Sequence, residues 1–253
     1  MLDDLKGKRA LITGSSSGIG AAVARELARL GVDVAIHGNK NRAGAEAVAE
    51  EIRKLGRKAV VTMGDVGDTA TAARVVEEAV AGLGGLDILI NNAGAIHDRV
   101  TNAAFDEAMF ERVYNTNVRS LLAVTKAAYP HLKAAGGGSI INTGSVAGRF
   151  GGFMGSTVYA SAKAAVHNIT RNAAREFADD KIRVNVVAPG FIITPFHDKT
   201  PESVRQTAAA QIPMKRLGSA EDCVGAYVFL CSANMSGYIT GQIIDVNGGQ
   251  LMV

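Results

Sequence analysis

The residues Arg9-Ala10-Leu11-Ile12-Thr13-Gly14-Ser15-Ser16-Ser17-Gly18-Ile19-Gly20 decide the fold that this sequence predicts. A short apolar segment runs into a glycine- and serine-rich turn, and residues 21–30 that follow are rich in helix formers. Strand, glycine-rich turn and helix in this order begin a βαβ unit. We interpret Gly14 as the residue of the tight turn and Gly20 as the close contact between helix and strand.

The glycine-rich turn is predicted to bind the phosphates of a dinucleotide. A helix N-terminus presents free backbone amides and the positive end of the helix dipole, and both favour an anion. Three residues separate Gly14 from Gly18 and one separates Gly18 from Gly20, unlike the one-then-two spacing of the commoner fingerprint. The cofactor-binding residues expected here are Gly14, Ser16, Ser17, Gly18, Ile19 and Gly20.

The alternation of strand and helix continues to the end of the chain. Strands are predicted at 9–13, 32–36, 58–63, 86–90, 139–143, 183–187 and 242–246, and helices at 21–30, 43–55, 69–83, 105–134, from about 158 to 178, and 221–232. The fold class is therefore α/β, a single-domain Rossmann-type doubly wound parallel seven-stranded sheet with helices on both faces. One domain is expected over 1–253, with a flexible loop at 148–155 and a substrate loop at 195–216.

Composition excludes several classes of function. The chain has 253 residues, a net charge of +3 and no Lys/Arg run longer than two, so no nucleic-acid surface is expected. No apolar run approaches the ~18 residues of a membrane span, and the N-terminus is too polar for a signal peptide. Cys223 and Cys231 are predicted to be buried free thiols, which suits a cytoplasmic protein. The five histidines lack metal-ligand spacing, so no metal site is predicted.

The residues after the second strand bear on the choice of cofactor. NAD sites use an acidic residue at the end of this strand to hold the ribose 2′-hydroxyl, but Asp33 stands at the strand's start. Asn39, Lys40 and Arg42 follow the strand, and two of them offer cations for a 2′-phosphate. NADP(H) is therefore favoured over NAD(H). Further cofactor contacts are expected at the ends of the next strands, at Asp65, Val66, Asn92, Ala93 and Gly94.

Tyr159 and Lys163 form the candidate catalytic pair. They are four residues apart in a predicted helix, so they lie on one face. An ammonium beside a phenol is expected to lower the phenol pKa, which would make Tyr159 a general acid or base near neutral pH. Asn117 lies in the middle of the helix predicted at 105–134, where Asn is unfavourable, so its side chain is expected to make a specific contact.

Together these segments resemble the short-chain dehydrogenase/reductase family, from Lys8 to Gly249. The chain is most similar to the branch of 3-oxoacyl-[acyl-carrier-protein] reductases and related bacterial carbonyl reductases. Six marks in the family's order carry the resemblance: the glycine-rich turn Thr13 to Gly20, Asn91-Asn92-Ala93-Gly94, Asn117, Ser145, Tyr159 with Lys163, and Pro189-Gly190.

The resemblance implies a role for each residue of the site. Tyr159 would protonate the alkoxide that forms as a hydride arrives from a nicotinamide, or deprotonate an alcohol in reverse. Lys163 would also bind the nicotinamide ribose, and Ser145 would hold the substrate oxygen. Asn117 would fix a kinked helix and a water of a proton relay. The resemblance also implies a homotetramer and cofactor contacts at Pro189, Gly190, Ile192 and Thr194.

The expected substrate is a small carbonyl or alcohol compound. Carrier-protein reductases are expected to show basic residues near the active-site mouth, but here 134–138 reads Ala-Ala-Gly-Gly-Gly and the catalytic helix ends in Asp179-Asp180. Only Lys133 and Lys181 remain, which counts against an acyl carrier protein and for a free ketone or secondary alcohol. A 3-oxoacyl thioester and a free carbonyl compound both stay open as substrates. An apolar pocket is expected from Phe150, Phe153, Met154, Phe191 and Phe196.

Two alternatives stay open from the residues alone. One is an NAD-dependent dehydrogenase of a secondary alcohol or polyol, which differs in cofactor preference. The other is a dinucleotide-sensing protein without turnover, against which the intact pair of Tyr159 and Lys163 argues.

Overall fold

A computed structural model describes residues 1–198 and 200–253 of the chain. Seven parallel strands form the main sheet, as predicted, and a pair of two-residue strands forms a second, small sheet. The strands are β1 Arg9–Ile12, β2 Asp33–Gly38, β3 Ala59–Met63, β4 Ile88–Asn91, β5 Gly138–Thr143, β6 Ile182–Pro189, β7 Ile192–Ile193, β8 Gly218–Ser219 and β9 Ile243–Val246.

The helices connect these strands across both faces of the sheet. They are α1 Gly18–Arg29, α2 Arg42–Lys54, α3 Thr69–Leu83, α4 Glu107–Tyr114, α5 Ser120–Ala134, α6 Ala147–Phe150, α7 Thr157–Glu176, α8 Glu202–Gln211, α9 Ala220–Cys231 and α10 Ala233–Ser236.

The order of the strands places a crevice at the centre of the molecule. The main sheet has the strand order β3-β2-β1-β4-β5-β6-β9. Strands β2 and β3 are added on one side of β1 and the later strands on the other side, so the topological switch point lies between β1 and β4. Leu11 of β1 is in register with Ala35 of β2 on one side and with Leu89 of β4 on the other. In doubly wound sheets ligands bind at the carboxyl ends of the strands beside such a switch point. The glycine-rich turn between β1 and α1 stands at this edge.

Two apolar layers cover the sheet and hold it rigid. On one face the side chains of Ile12, Ile36 and Ile90 pack with Leu27 of α1 and Tyr227 of α9. The other face is covered by a second cluster that draws on α3, α5 and α7, with Leu11, Leu89 and Ile140 buried completely. Because both faces are buried, the strands read as near-continuous apolar runs in the sequence.

Three local features differ from the sequence prediction. The helix predicted at 105–134 consists of α4, a π-helical turn Asn115–Arg119 and α5. The loop predicted at 148–155 begins inside α6, and the substrate loop predicted at 195–216 contains α8. The small sheet of β7 and β8 was not predicted, since two-residue strands leave no periodic pattern to recognise.

The prediction for the cysteines is confirmed, because Cys223 and Cys231 are buried and free. Both lie in α9, on the side that packs against the sheet. Among the helices of the described residues, none is long and apolar enough to cross a membrane.

Candidate active site

The glycine-rich turn is built so tightly that side chains cannot replace its glycines. Gly14 and Gly18 have φ angles of 64° and 58°, which favour glycine. A Cβ on Gly20 would lie 2.6 Å from Nδ2 of Asn92 and 2.7 Å from the carbonyl oxygen of Gly14. That same Asn92 amide donates to the carbonyl oxygens of Thr13 and Gly14, each at 3.0 Å. The predicted segments after β1 and β4 are therefore joined directly.

A buried histidine, His37, is hydrogen-bonded to the backbone of the glycine-rich turn. The backbone N–H of Gly14 donates to Nδ1 of His37 at 3.1 Å, and Nε2 of His37 lies 2.9 Å from the carbonyl oxygen of Gly64. These partners assign a neutral ring with its proton on Nε2. Burial lowers the pKa of His37, which agrees with the neutral form. The sequence analysis did not identify this residue; its only signal is a histidine at the penultimate position of β2.

The cations predicted for a 2′-phosphate lie beside the turn. A Cβ on Gly44 in α2 would be 2.6 Å from the carbonyl oxygen of Ser16, so the start of α2 touches the turn. Lys40 and Arg42 are exposed there, and Nη1 of Arg42 is 3.7 Å from Oε1 of Glu46 in a solvent-exposed pair. Such exposed pairs are weak, so the guanidinium remains able to bind a phosphate.

Asp33 lies at the other end of β2, as the sequence suggested. Its Oδ1 accepts from the backbone N–H of Lys58 at 2.9 Å and is 3.9 Å from Arg57. It therefore connects β2 and β3 at the amino edge of the sheet and is remote from the cofactor crevice. Ser17 and Asn39, also predicted as cofactor contacts, are exposed beside the crevice.

The residues predicted after β3 have separate structural tasks. Oδ1 of Asp65 accepts from the backbone N–H of Gly67 at 2.9 Å, which fixes the turn, and the side chain is exposed. Val66 is buried against α3. Asp68 caps α3 by accepting from the backbone N–H of Thr71 at 2.8 Å, as expected from its position.

The predicted catalytic residues meet at the carboxyl ends of β4 and β5. Tyr159 lies in the first turn of α7, and Lys163 follows one turn later, with its Nζ 5.7 Å from the centre of the Tyr159 ring. Lys163 is buried and donates to the carbonyl oxygen of Thr143, the last residue of β5, at 2.8 Å. Ser145 follows this strand, and its Oγ accepts from the backbone N–H of Ala147 at 3.1 Å.

The pKa values of this pair correct one expectation from the sequence. Burial raises the pKa of Tyr159 to about 12, while the Ser145 hydroxyl and the charge of Arg99 act in the opposite direction. Lys163 is not among the groups that shift this pKa, and its ammonium donates to the carbonyl oxygen of Thr143. Burial lowers the pKa of Lys163 to about 8. From the protein's own groups, Tyr159 is therefore a protonated phenol at neutral pH and can donate a proton.

Asn117 lies in the π-helical turn between α4 and α5. Its Nδ2 donates to the carbonyl oxygens of Ala95 and Val113, each at 2.8 Å, which accounts for the break in regular helix. Its buried Oδ1 has no partner among the described residues. A Cβ on Gly94 would lie 2.8 Å from this Oδ1 and 3.2 Å from Nζ of Lys163. An acceptor and an ammonium thus face one small space that a water or a ribose hydroxyl would fit.

His167 is a second buried histidine that the sequence analysis did not place in the site. It lies one turn after Lys163, and its Nε2 is 3.5 Å from the backbone N–H of Ser145. Burial lowers the pKa of His167 to about 4, and the charges of Arg149 and Lys163 lower it further. The ring is therefore neutral, and it packs so closely on Gly144 that a Cβ there would collide with it.

The segment that follows β6 forms another wall of the crevice. Val146 donates its backbone N–H to the carbonyl oxygen of Pro189 at 3.0 Å, and a Cβ on Gly190 would be 2.8 Å from Asn247. Ile192 is buried in β7, and Thr194 lies over the turn, 3.3 Å from a Cβ built on Gly18. Of the contacts that the resemblance implied, Thr194 thus lies against Gly18 of the glycine-rich turn, and Pro189, Gly190 and Ile192 precede it in the same segment.

Aromatic side chains form the mouth of the site above Tyr159. The ring of Phe196 is 5.8 Å from that of Tyr159, and His197 packs on Phe191 and Phe196 at 4.2 and 4.9 Å. Phe150 and Phe153 form a separate exposed pair at 5.7 Å. The predicted apolar pocket is therefore divided, and Phe191 and Phe196 are the members nearest to the chemistry.

The surface near the active-site mouth, where an acyl carrier protein would bind, is weakly basic. Nζ of Lys133 is 2.9 Å from Oδ1 of Asp180, and the Tyr129 hydroxyl donates to the other oxygen of that carboxylate at 2.5 Å. The charge of Lys133 is thus partly neutralised. Lys181 lies in the connection between α7 and β6, directly before β6, with a positive φ of 58°.

Comparisons with known proteins identify the family of the chain. A family model described as enoyl-(acyl carrier protein) reductase matches residues 14–250. The chain belongs to the short-chain dehydrogenase/reductase family and is an oxidoreductase that uses a nicotinamide dinucleotide on CH–OH or C=O groups. The resemblance and the fold expected from the sequence are confirmed.

Three relatives illustrate the range of the family. A 3-oxoacyl-[acyl-carrier-protein] reductase of Pseudomonas aeruginosa is 41% identical over 98% of this chain and 99% of its own. A cis-4-hydroxycyclohexanecarboxylate dehydrogenase of Sinomonas cyclohexanicum is 38% identical over 96% of each chain. The crystal structure of an NADH-dependent reductase responsible for alginate metabolism, A1-R′, has a TM-score of 0.91 and 43% identity, covering 99% of this chain and 100% of its own.

Proposed function

We propose that this protein is an NADP(H)-dependent reductase that converts a small free ketone into a secondary alcohol. The observation that carries the proposal is the convergence of Tyr159, Lys163, Ser145 and Asn117 beside Gly94, at the carboxyl edge of the sheet. In a dinucleotide-binding fold this edge is where the reacting end of the cofactor binds.

Each residue has a defined task in the proposed reaction. When bound, the nicotinamide supplies or accepts the hydride. Tyr159, with its pKa raised to about 12, gives its phenolic proton to the substrate oxygen as negative charge develops there. Ser145 donates a hydrogen bond to that same oxygen. Lys163 and the free Oδ1 of Asn117 hold the ribose and a water through which Tyr159 regains its proton.

The cofactor preference rests on the charges around the start of α2. Lys40 and Arg42 provide cations beside the turn, and Asp33 is at the opposite end of β2. A 2′-phosphate would bind these cations, whereas no carboxylate of β2 lies where it could accept from a 2′-hydroxyl. NADH is the second candidate, because A1-R′, 43% identical, is named an NADH-dependent reductase and Ser17 adds no further cation.

A free substrate is favoured over a carrier-bound one by the surface near the mouth. Lys133 is paired with Asp180, and residues 134–138 contribute no charge. An acidic carrier protein would find few partners here. Two relatives named for the metabolism of alginate and for a hydroxycyclohexanecarboxylate further support small free substrates.

The test is a titration with NADPH and NADH followed by turnover measurements on a panel of ketones and one 3-oxoacyl thioester. We expect tighter binding of NADPH and reduction of free ketones. Tyr159→Phe should lower kcat by about 10²–10⁴-fold and leave the dissociation constant of NADPH almost unchanged, because it removes only the proton donor. If NADH bound more tightly than NADPH and the protein only oxidised alcohols, it would instead be an NAD-dependent alcohol dehydrogenase. An unchanged rate in Tyr159→Phe would refute the catalytic role.

A further inference from the structure

Arg205 connects the substrate loop to the mouth of the site. It lies in α8, and its Nη2 donates to the carbonyl oxygen of His197 at 2.7 Å. The ring of His197 packs on Phe196, and the ring of Phe196 lies 5.8 Å from that of Tyr159, so Arg205 is linked to the aromatic residues of the mouth. The Nε of Arg205 is buried and has no acceptor among the described residues. A buried donor on a cation without a partner indicates that an acceptor belongs there.

Arg99 lies beside the start of the helix that carries Tyr159. A Cβ built on Gly155 would lie 3.2 Å from the Cβ of Arg99. The neighbouring Val100 donates its backbone N–H to the carbonyl oxygen of Gly155 at 2.9 Å. Gly155 directly precedes the segment that opens α7, the helix of Tyr159. Arg99 is exposed, and its charge reaches both aromatic residues of the mouth, where it lowers the pKa of Tyr159 and of His197.

No carboxylate neutralises these two cations in the part of the chain that the structure describes. Neither Arg99 nor Arg205 forms an ion pair there, although most other arginines near the site do, such as Arg112 with Asp98. Burial and then the charges of Arg99 and Arg205 lower the pKa of His197 to about 4, so its ring is neutral. Both guanidinium groups therefore remain available to bind an anion.

We propose that Arg99 and Arg205 bind a carboxylate of the substrate, so that this reductase acts on oxo acids in preference to uncharged ketones. The proposal rests on the proposed function and adds the class of substrate to it. The guanidinium groups present N–H donors in a fixed plane that matches the two oxygens of a carboxylate. The aromatic rings of Phe191 and Phe196 line the space between this anion site and Tyr159 and would contact the carbon chain of the substrate.

The two arginines differ in what each contributes. Arg205 is fixed by its bond to His197, so it sets the position of the carboxylate. Arg99 is exposed and contributes charge at the entrance, which favours the approach of an anion. Because both contacts persist from the bound state to the transition state, their loss should raise KM more than it lowers kcat.

The experiment compares each oxo acid with its own methyl ester. Pairs of 2-oxo and 3-oxo acids and their esters are reduced by the wild type, Arg99→Gln, Arg205→Gln and Arg205→Lys, each loaded with the preferred cofactor. We expect kcat/KM for the acid to exceed that for the ester by at least about tenfold in the wild type. Either glutamine variant should remove most of this preference by raising KM for the acid, whereas Arg205→Lys should retain part of it.

Arg175→Gln is the matched control, since it removes the same charge from an exposed position of α7 about 24 Å along the helix from Tyr159. It should leave both substrates unchanged. Equal kcat/KM values for acid and ester, or a preference that survives both glutamine variants, would overturn the anion site and leave the reductase function standing. If no carbonyl compound is reduced by any of the proteins, the proposed function and this inference both fail.

Discussion

Nζ of Lys163 donates to the carbonyl oxygen of Thr143 at 2.8 Å and so ties the catalytic helix α7 to the end of β5. The hydroxyl of Thr143 is in turn 2.7 Å from the hydroxyl of Tyr227, which is fully buried in the core. The ammonium is thereby held in place beside Gly94 and Asn117, where it can contact a ribose or a water. Its position depends on the packing of β5 and α9 as well as on its spacing from Tyr159.

The pH dependence of reduction should report the state of Lys163. Burial lowers its pKa to about 8, so this group loses its proton above that pH and can no longer supply one to Tyr159. We expect the rate of ketone reduction to fall above about pH 8, while alcohol oxidation rises. In Lys163→Arg the fall should move to higher pH, because a guanidinium stays protonated. Rates measured from pH 6 to 10 test this, and a profile identical to the wild type would contradict it.

Arg42 should discriminate between the two nicotinamide cofactors. If it binds the 2′-phosphate, Arg42→Gln should weaken NADPH binding by about tenfold and change NADH binding by less than about twofold. Arg57→Gln is the control, since Arg57 carries the same charge at the amino edge of the sheet near Asp33. Fluorescence titrations of both variants give the constants. If Arg42→Gln weakened the binding of NADPH and NADH equally, Arg42 would contact a part that both cofactors share and not the 2′-phosphate.

A single methyl group at Gly94 should damage catalysis more than folding. In Gly94→Ala the new Cβ would lie 2.8 Å from Oδ1 of Asn117 and 3.2 Å from Nζ of Lys163, so both groups must move. We expect a loss of about a hundredfold in kcat, because small displacements of catalytic groups are costly.

The matched control for that variant is Gly225→Ala. Gly225 is exposed in α9, and a Cβ there would meet no atom within 4 Å. It should leave kcat unchanged and raise the free energy of unfolding by about 0.5–1 kcal/mol, because alanine favours the helix. Steady-state kinetics and urea unfolding separate the two effects, and a similar kcat in both variants would show that the space beside Gly94 is not used in catalysis.

Stability should decrease in mild acid because of the buried histidines. The pKa of His167 is about 4 in the folded chain and ~6.5 when the chain is unfolded, so the unfolded state binds more protons between these values. The contribution of His167 to the free energy of unfolding is therefore fully present above pH 6.5, and it is lost as the pH is lowered towards 4. At ~1.4 kcal/mol for each pKa unit, His167 accounts for up to about 3 kcal/mol of this loss.

His167→Leu should reduce the loss by removing the group that titrates. Urea unfolding at pH 7 and pH 5 measures the difference for each protein. His37 and His197, whose pKa values are also lowered by burial, account for the part that remains in the variant. A pH dependence that is the same in His167→Leu and the wild type would show that His167 is not protonated on unfolding.

Much of the architecture followed from the sequence because it is encoded locally. Seven apolar runs separated by helical segments predicted the seven-stranded sheet, and the helix predicted at 69–83 agrees with α3 in both bounds. The glycines after β1 were recognisable because a tight turn between a strand and a helix permits few other residues. The small sheet of β7 and β8 and the short helix α6 were missed, since elements of two to four residues show no period.

The sequence by itself determined the α/β class, the glycine-rich turn after β1 and the placement of Tyr159 and Lys163 on one helix face, because each depends on residues close together in the chain. The tertiary structure decided the state of these groups. Burial raises the pKa of Tyr159 instead of the expected lowering, and the ammonium of Lys163 donates to the carbonyl oxygen of Thr143. Arg99 and Arg205 are more than a hundred residues apart in the chain, and only folding lets the charges of both act on His197. Solvation and electric fields depend on the whole packed environment, which no local pattern specifies.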